Sequence, residues 1–507
     1  MITDLNRVDR DPFSDKVFDF CICGAGVAGI TLAMKLAKNF DVVLLEGGGL
    51  NFSQESQQLY RGENVGQHYR LNASRLRYFG GTSNHWAGWC TPMDAYDFER
   101  KSYVEYSGWP LGRAELDPFL RQTEQILDLP QRGHDPQRRY EWKAANVISA
   151  SGDLNPREYK WSSPTRFGAK FRRAIHLSQS LTCYVNANVV DMRLYENLSG
   201  LAAVEVKNFS GKSFDVRAKT FILAAGGIEN PRILLNCNKQ LEHGLGNQKG
   251  LVGRFFAEHN NKNTATFILE DAAKKSLIDR WSPNSRLNSS YFSPSVSFMK
   301  QERILNFVAL VEPFRRPTRQ YSFQETMKNF LCEPHPPAGD AKDIAQKPEC
   351  PSDGRIRIVS EQALDPSSRV SLGSEVDRFG MKWVALDWKQ SRIDKRTIQR
   401  ATLRLAEIFA QNSFGRVRID DWVLTDDLDY PTRDGIAGHH HMGTTRMSDS
   451  PRDGVVDENQ KVFGIDNLYV GGSSVFSTTG HDSPTITIVQ MTLRLAQHLE
   501  RAHRKTA

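Results

Sequence analysis

The chain reads as an α/β protein in which a doubly wound, mostly parallel sheet joins a second domain built on an antiparallel sheet. Three observations lead there. Val17 to Cys23, a short apolar run, passes through a glycine-punctuated turn into a helix-periodic segment and a second apolar run, Val42 to Leu45. From about Asn260 the pattern changes to alternating apolar and polar residues, the period of strands with one wet face. Near the C-terminus a short apolar run again ends in glycine, at Leu468 to Gly472. At 507 residues the chain exceeds the size at which one core keeps growing. The expected division is 1–260, with helical and second-domain excursions at about 100–180, then 261–429, then a C-terminal return, 430–507, to the first domain.

Composition removes several classes. Hydrophobic residues make up 39% and charged residues 25%, as in a soluble globular protein. The net charge of +7 is scattered, with no Lys/Arg tract that would mark nucleic acid as a partner. No stretch approaches the ~20 apolar residues of a membrane span. The N-terminus, MITDLNRVDRDPFSDK, carries acids and a proline where a secretion signal would be apolar, and it has no twin arginine, so a cytoplasmic location is expected. Seven cysteines make an odd number for a disulfide framework, and none is spaced like a zinc site, so no metal is expected. Cys21 and Cys23 alternate along a buried strand as small apolar side chains.

In chain order, Gly24-Ala25-Gly26-Val27-Ala28-Gly29 follows the first strand and opens a helix to about Lys38, and Glu46 ends the next strand about 20 residues on. Gly24 permits the tight turn, Gly26 lets backbone approach a pyrophosphate, and Gly29 lets helix and strand pack. The helix N-terminus then faces phosphates, and Glu46 can hold a ribose hydroxyl. Arg77 to Pro92, RYFGGTSNHWAGWCTP, is a second glycine-rich loop. Gly108 to Leu129 has a helical pattern. Leu181 to Val216 reads as strands and hairpins turning at Ser210-Gly211. Thr220 to Ala225 is a further buried strand that breaks at Gly226-Gly227 before Glu229-Asn230-Pro231-Arg232 opens a helix. Thr264 to Leu269, Ile304 to Val311, Arg355 to Glu361, Arg369 to Leu372 and Lys382 to Trp388 are the expected antiparallel strands. Between them, Pro313 to Gly354 is a long proline- and charge-rich connection, a lid or partner-facing loop by its length. Ile393 to Gln411 is a helix. After the strand Leu468 to Val470, Ser483 suits an N-cap and Pro484 the first position of a helix running to about His498.

The chemistry centres on His440, within GHHHMGTTRM, and on His481, within GHDSPT. Oxidising an alcohol requires a base for the hydroxyl proton while the carbon gives up a hydride. Histidine is the side chain whose ordinary pKa already lies near neutrality. Extended chain alternates its side chains, so His440 is expected to face opposite to His439 and His441.

Four separated motifs, the fingerprint at Gly24, GGTSNHW at Gly80, AAGGIENPR at Ala224 and GTTRM…NLYVGGSSVF…SPT at the end, resemble the glucose–methanol–choline (GMC) oxidoreductases in family order. Their spelling is similar to the branch of pyranose oxidases, fructose and gluconate dehydrogenases and glycoside 3-dehydrogenases. The resemblance implies a Rossmann-like FAD-binding domain, a substrate domain on an antiparallel sheet, and FAD as cofactor. It implies that Gly24, Gly26, Gly29 and Glu46 contact FAD phosphate and ribose, that Gly80, Gly81, Thr82, Ser83 and Asn84 lie along the pyrophosphate and flavin, and that Val189 holds adenine through its backbone. Gly472, Ser473, Pro484 and Thr485 fall where the family's last strand and helix meet the flavin. His440 matches the family's active-site histidine. His85 matches a position at which some members bond flavin covalently and others do not. Relatives carry His-Ala-Asn-Pro-Thr, so their asparagine falls at Ser483 here; either His481 or Ser483 is the second catalytic group.

The reading is FAD-dependent oxidation of an alcohol, a secondary hydroxyl of a sugar, glycoside or other polyol, to a carbonyl. His440 takes the proton, hydride passes to the flavin, and the helix opening at Pro484 turns its positive end toward the charge this creates. Trp86, Trp89 and Trp388 are candidates to stack on a sugar ring. A quinone, a cytochrome or another acceptor is expected to receive the electrons, with oxygen as the alternative. A lyase using the same histidines without net redox is the rival reading.

Overall fold

The computed structural model describes residues 1–130, 148–270, 290–313, 353–428, 430–431 and 438–506. An eight-stranded sheet carries the glycine fingerprint. In spatial order its strands are Ile2–Asp4, Leu181–Val185, Val42–Leu45, Val17–Cys23, Ser213–Leu223, Leu201–Lys207 and Asn188–Leu194, with Leu468–Val470 pairing alongside Ser213–Leu223. The first five are mutually parallel, as is Leu468–Val470, and the last two form an antiparallel meander. Cys23 stands opposite both Leu45 and Leu223, and Leu223 opposite Val470. Four carboxyl ends therefore finish in one row, the place where open α/β sheets bind ligands.

The Val17–Cys23 and Val42–Leu45 strands and their joining helix, Val27–Leu36, lie where the sequence predicts them. The helix buries Ile30, Leu32, Ala33 and Leu36 against Ile486, Val489, Leu493 and Ala496 of the C-terminal helix Thr485–Thr506. Burying each large aliphatic side chain contributes about 1.5–3 kcal/mol, which holds the two ends of the chain together.

Sequence expectation and structure part at Ser213–Leu223, a single strand of 11 residues where two were expected. Exposed and buried residues alternate from Ser213 to Lys219, and Thr220 to Leu223 are buried throughout between parallel neighbours. One strand thus changes pattern where Leu468–Val470 joins it as a second parallel neighbour. The helical pattern from Gly108 to Leu129 is broken into turns at Arg113–Glu115 and Asp117–Phe119 and a short helix, Leu120–Ile126.

A six-stranded sheet orders Gly415–Ile419, Asn260–Leu269, Gly354–Ser360, Phe307–Pro313, Ser290–Pro294 and Leu154–Pro156, every pair antiparallel. One face packs Phe267, Phe307, Ile356 and Ile358 on Ile398, Leu405, Ile408 and Phe409 of the helix Arg392–Gln411. The other face sets Val308, Leu310 and Val359 beside Tyr159, with Trp89 and Tyr291 against them. The expected strands near Arg369 and Lys382 are present as Arg369–Val376 and Lys382–Asp387, but they pair with Gly62–Asn64 in a separate three-stranded sheet. Alternation identifies a strand and says nothing of its partner. The expected connection from Pro313 to Gly354 lies, from 314 to 352, outside the described residues. No described helix is long and apolar enough to cross a membrane.

Gly29 fixes how closely helix and turn approach, because a Cβ there would sit 1.8 Å from the Gly24 carbonyl oxygen. A Cβ on Gly26 would meet nothing within 4 Å. Gly29→Ala is therefore expected to lower unfolding free energy by about 3 kcal/mol, and Gly26→Ala by ~1 kcal/mol or less. Urea unfolding at matched flavin content checks the pair, and equal losses would show that the contact does not govern packing.

Candidate active site

Above the row of strand ends lies a cavity of about 850 Å³. At one end it is lined by Gly24, Ala25, Gly26, Val27, Ala28, Glu46 and Val189. The amides of the first turn of the Val27–Leu36 helix have no helical acceptors, and Gly26 supplies no side-chain cap. The Glu46 carboxylate is buried and accepts Ala25 N–H at 3.0 Å and Gly48 N–H at 2.8 Å. Its oxygens have about four acceptor sites between them, so capacity for a hydroxyl remains. Gly226 and Gly472 also line the cavity with left-handed φ angles of 93° and 94°, and a Cβ on either would meet only open space. This glycine-cleared floor, with free amides and an acceptor at its edge, fits a dinucleotide such as FAD.

Gly81, Thr82, Ser83 and His85 line the middle of the cavity, whereas Gly29, Gly80 and Asn84 do not. Gly29 is a packing residue. Gly80 donates its N–H to Ala25 O at 2.9 Å. The Asn84 amide donates to Phe79 O at 2.8 Å and accepts Gly168 N–H at 3.1 Å. Both hold the loop in place from behind. His85 is exposed, its Nε2 2.8 Å from Tyr78 Oη.

His439, His440, His441 and His481 meet at the far end. The expected alternation fails because His439 takes a left-handed φ of 52°, so all three consecutive histidines reach the cavity wall. Their surroundings separate them. His441 is buried and lies flat against Phe256, with Nε2 unpartnered. His440 donates its backbone N–H to both oxygens of Glu258, at 2.8 Å each, and its Nδ1 lies 2.9 Å from His259 Nδ1. Glu258 also accepts the Tyr69 hydroxyl at 2.5 Å and His259 N–H at 2.9 Å. Burial pushes its carboxyl up to about 7 against the pull of these donors. Burial, then the neighbouring His259, His441 and His439, hold the His440 imidazole well below 6.5. Burial takes His259 down to about 4. Burial thus favours the neutral form of the histidines at this end.

His481 is buried, and neither ring nitrogen makes a hydrogen bond. Its Nε2 is 3.1 Å from Asp482 Oδ1 without the alignment a hydrogen bond needs. Asp482 accepts from Arg157 at 2.8 Å and from the Tyr159 hydroxyl at 3.2 Å, and Arg157 also grips Asp94. Burial, Arg157 and His259 keep the His481 imidazole well below 6.5. Asp94, His481 and Asp482 bring donor atoms within 4.8 Å of one another, but the Arg157 guanidinium already takes the cation's place there. Ser483 is half-buried in the cavity wall, beside Pro484 and Thr485. The Pro484 carbonyl accepts the first helical bond, from Ile488 N–H at 2.8 Å, so Pro484 occupies the cap position expected of Ser483. Ser473 lines the cavity and donates its hydroxyl to His441 O at 2.6 Å.

The antiparallel sheet supplies the facing wall: Asn261, Tyr291, Leu310, Arg357 and Val359. Trp89 stacks on Trp161 at 5.8 Å and packs against Tyr159 and Tyr291 beneath it. Trp86 lines the cavity and donates Nε1–H to Thr165 O at 2.6 Å. Trp388 belongs to a separate core cluster, donates to Gln362 at 3.0 Å and is not a cavity residue.

Glu258 and His259 are the site residues that sequence reasoning misses. The alternating pattern begins at Asn260, and a Glu-His pair abutting it was the only available signal.

Fold and site together define a dinucleotide-dependent oxidoreductase whose reacting end is lined by histidine. Residues 365–492 match the family model described as GMC oxidoreductase. The chain is 22% identical to 2-methyl-1,2-propanediol dehydrogenase of Mycolicibacterium austroafricanum, over 95% of each chain. It is 22% identical to pyranose 2-oxidase of Tricholoma matsutake, over 87% of this chain and 76% of that one. The solved structure of pyridoxine 4-oxidase from Mesorbium loti shares its fold, with a TM-score of 0.60 at 17% identity over 95% of this chain and 99% of the other. The chain is thus similar to the GMC oxidoreductases over its C-terminal part and to named dehydrogenases and oxidases over most of its length, which supports an FAD-dependent enzyme acting on CH–OH donors.

Proposed function

We propose that the enzyme oxidises a secondary hydroxyl of a sugar, glycoside or related polyol to a carbonyl, with His440 as the base. The observation that carries this reading is the junction of His440 and His481 with the glycine-cleared floor in one cavity. FAD, when bound, supplies the two-electron acceptor for the hydride leaving the alcohol carbon. The protein's part is to orient the hydroxyl, take its proton and exclude water. A neutral imidazole at His440 can accept that proton throughout the physiological range, because burial and three neighbouring histidines oppose a resident positive charge. His481, braced through Asp482 and Arg157, is assigned to steady the developing alkoxide, and Ser483 has the lesser role. The aromatic wall around Trp89 and the polar Asn261 and Arg357 supply the mixture of flat apolar faces and hydrogen-bonding groups that a sugar ring matches. The pyranose-acting relative supports the same substrate class.

His440→Ala is expected to retain FAD and fold and to slow anaerobic flavin bleaching by sugars about 10²- to 10⁴-fold. Since the imidazole's pKa is lowered and its neutral form is the active one, kcat/KM of the unmodified enzyme should hold as pH falls to 6.5 and decline only below it. Stopped-flow reduction across pH tests both. Bleaching by no alcohol at all would return the protein to the lyase reading.

We further propose a covalent bond between FAD and His85, supported by the GGTSNHW motif and by the place of His85 on the cavity wall. Acid precipitation should leave the yellow colour in the pellet, whereas flavin wholly in the supernatant rejects the bond.

For the electron acceptor we favour a quinone, a cytochrome or another acceptor over oxygen. The relative that matches 95% of both chains is a dehydrogenase, which supports this choice. Substrate-reduced enzyme should reoxidise slowly in air-saturated buffer and rapidly with a quinone. Air reoxidation as fast as turnover would make the enzyme an oxidase.

A further inference from the structure

The two hydrogen bonds behind His440 carry directional information. His259 Nε2 lies 3.2 Å from the Thr479 backbone carbonyl. A carbonyl oxygen only accepts, so His259 Nε2 carries the proton in that bond. In a neutral imidazole the other nitrogen is then bare, and His259 Nδ1 is an acceptor. It faces His440 Nδ1 at 2.9 Å, which must therefore be the donor. A neutral His440 with its proton on Nδ1 has its lone pair on Nε2, and no described protein group is bonded to that atom. Two imidazoles at 86° to one another thus pass a single orientation from a backbone carbonyl to the cavity wall.

We propose that His259 is a positioning residue that fixes the Nδ1–H tautomer of His440 and so presents Nε2 as the bare nitrogen that accepts the substrate's proton. The inference rests on the reading of His440 as the base. In the step itself the hydroxyl proton goes to His440 Nε2, giving an imidazolium. Its Nδ1–H stays on the bond to His259, now charge-assisted and stronger. Nothing else moves: His259 keeps its own proton on Thr479.

The nature of the partner matters. A carboxylate on His440 Nδ1 would set the same tautomer and would also favour the imidazolium at rest. A neutral imidazole sets the tautomer without placing a negative charge against the ring. The nearby carboxylate, Glu258, meets only the backbone N–H of His440 and leaves the ring to His259. Gly438 adds a steric limit, since a Cβ there would come within 2.7 Å of His440 Nδ1.

The test uses FAD-loaded enzyme labelled with ring-¹⁵N histidine, with His440 assigned by the signals lost in His440→Gln. In the wild type the His440 pair should report a protonated Nδ1 and a bare Nε2, the opposite of the form that free imidazole side chains favour. His259→Leu, which removes the acceptor, should release His440 to the Nε2–H form and slow flavin reduction on the order of 10²-fold with little change in KM. His259→Asn, whose amide oxygen can accept in the place of Nδ1, should keep the Nδ1–H form and most of the rate. A wild-type His440 protonated on Nε2 overturns the proposal, and so does a His259→Leu enzyme that reduces flavin at the wild-type rate. Should His259→Leu not fold, the wild-type tautomer and the His259→Asn rate still decide it. A His440→Ala enzyme of undiminished rate would instead remove the underlying reading of His440 as base, a result distinct from any of these.

Discussion

Everything at the site depends on the pairing of Leu468–Val470 with Phe221–Leu223 in the parallel sheet. It brings a segment near the C-terminus into the row of strand ends formed by the first residues of the chain. Further bonds lock the arrangement laterally: Gly443, Thr445 and Met447 donate backbone N–H groups to Ser473, Ser474 and Val475. Thr444 donates its hydroxyl to Gly227 O at 2.5 Å, and the Asn230 amide reaches Gly471 O and Ser474 Oγ. The histidine run, the second glycine break and the last strand are therefore one hydrogen-bonded assembly. Side chains that sequence separates by hundreds of residues acquire fixed relative positions because buried backbone groups must be paired. A site held by backbone bonds tolerates little drift, as positioned catalytic side chains require.

The second constraint is electrostatic. The reacting end collects several imidazoles in a space where an unpaired charge is costly to bury. Burial holds all of them below their ordinary range, which disfavours a positive charge on the histidines. Charges are kept one layer back, where they are paired. Arg157 is paired with Asp94 and Asp482, and Glu258 accepts hydrogen bonds from three donors, two of them backbone.

What could be read from sequence was what is local. The strand–turn–helix–strand unit from Val17 to Glu46 depends on near neighbours and on glycine sterics, and its strands match the structure residue for residue. Sheet membership is not local: the alternation of Arg369–Val376 and Lys382–Asp387 says nothing of Gly62–Asn64, their third strand, so they were placed in the wrong sheet. Gly415–Ile419 escaped notice because arginine alternates with its apolar residues at a sheet edge. At the site, the motif register singled out His440, but the alternation argument for it failed at one left-handed residue, His439. His259 was invisible because its role exists only through His440 and Thr479, each far away in the chain. Gly80 and Asn84 were read as cofactor contacts by motif, yet in the structure they brace from behind the loop that lines the cavity.

The departure at His481-Asp482-Ser483-Pro484 follows the same logic. An aspartate here brings a carboxyl into the shoulder of the site, where burial pushes its pKa well up, and Arg157, Tyr159 and, beyond them, Asp94 gather around it. That cluster fixes the backbone on which His481 stands while leaving both ring nitrogens without partners. An imidazole with no protein partner in a close-packed wall carries an unmet cost of about 1–3 kcal/mol per buried group. A ligand hydroxyl that bonds to it recovers this cost. Ser483, half-buried and one residue outside the helix cap, has no comparable cost to recover. The unmet hydrogen-bonding capacity at this shoulder of the cavity therefore lies with His481 and not with Ser483.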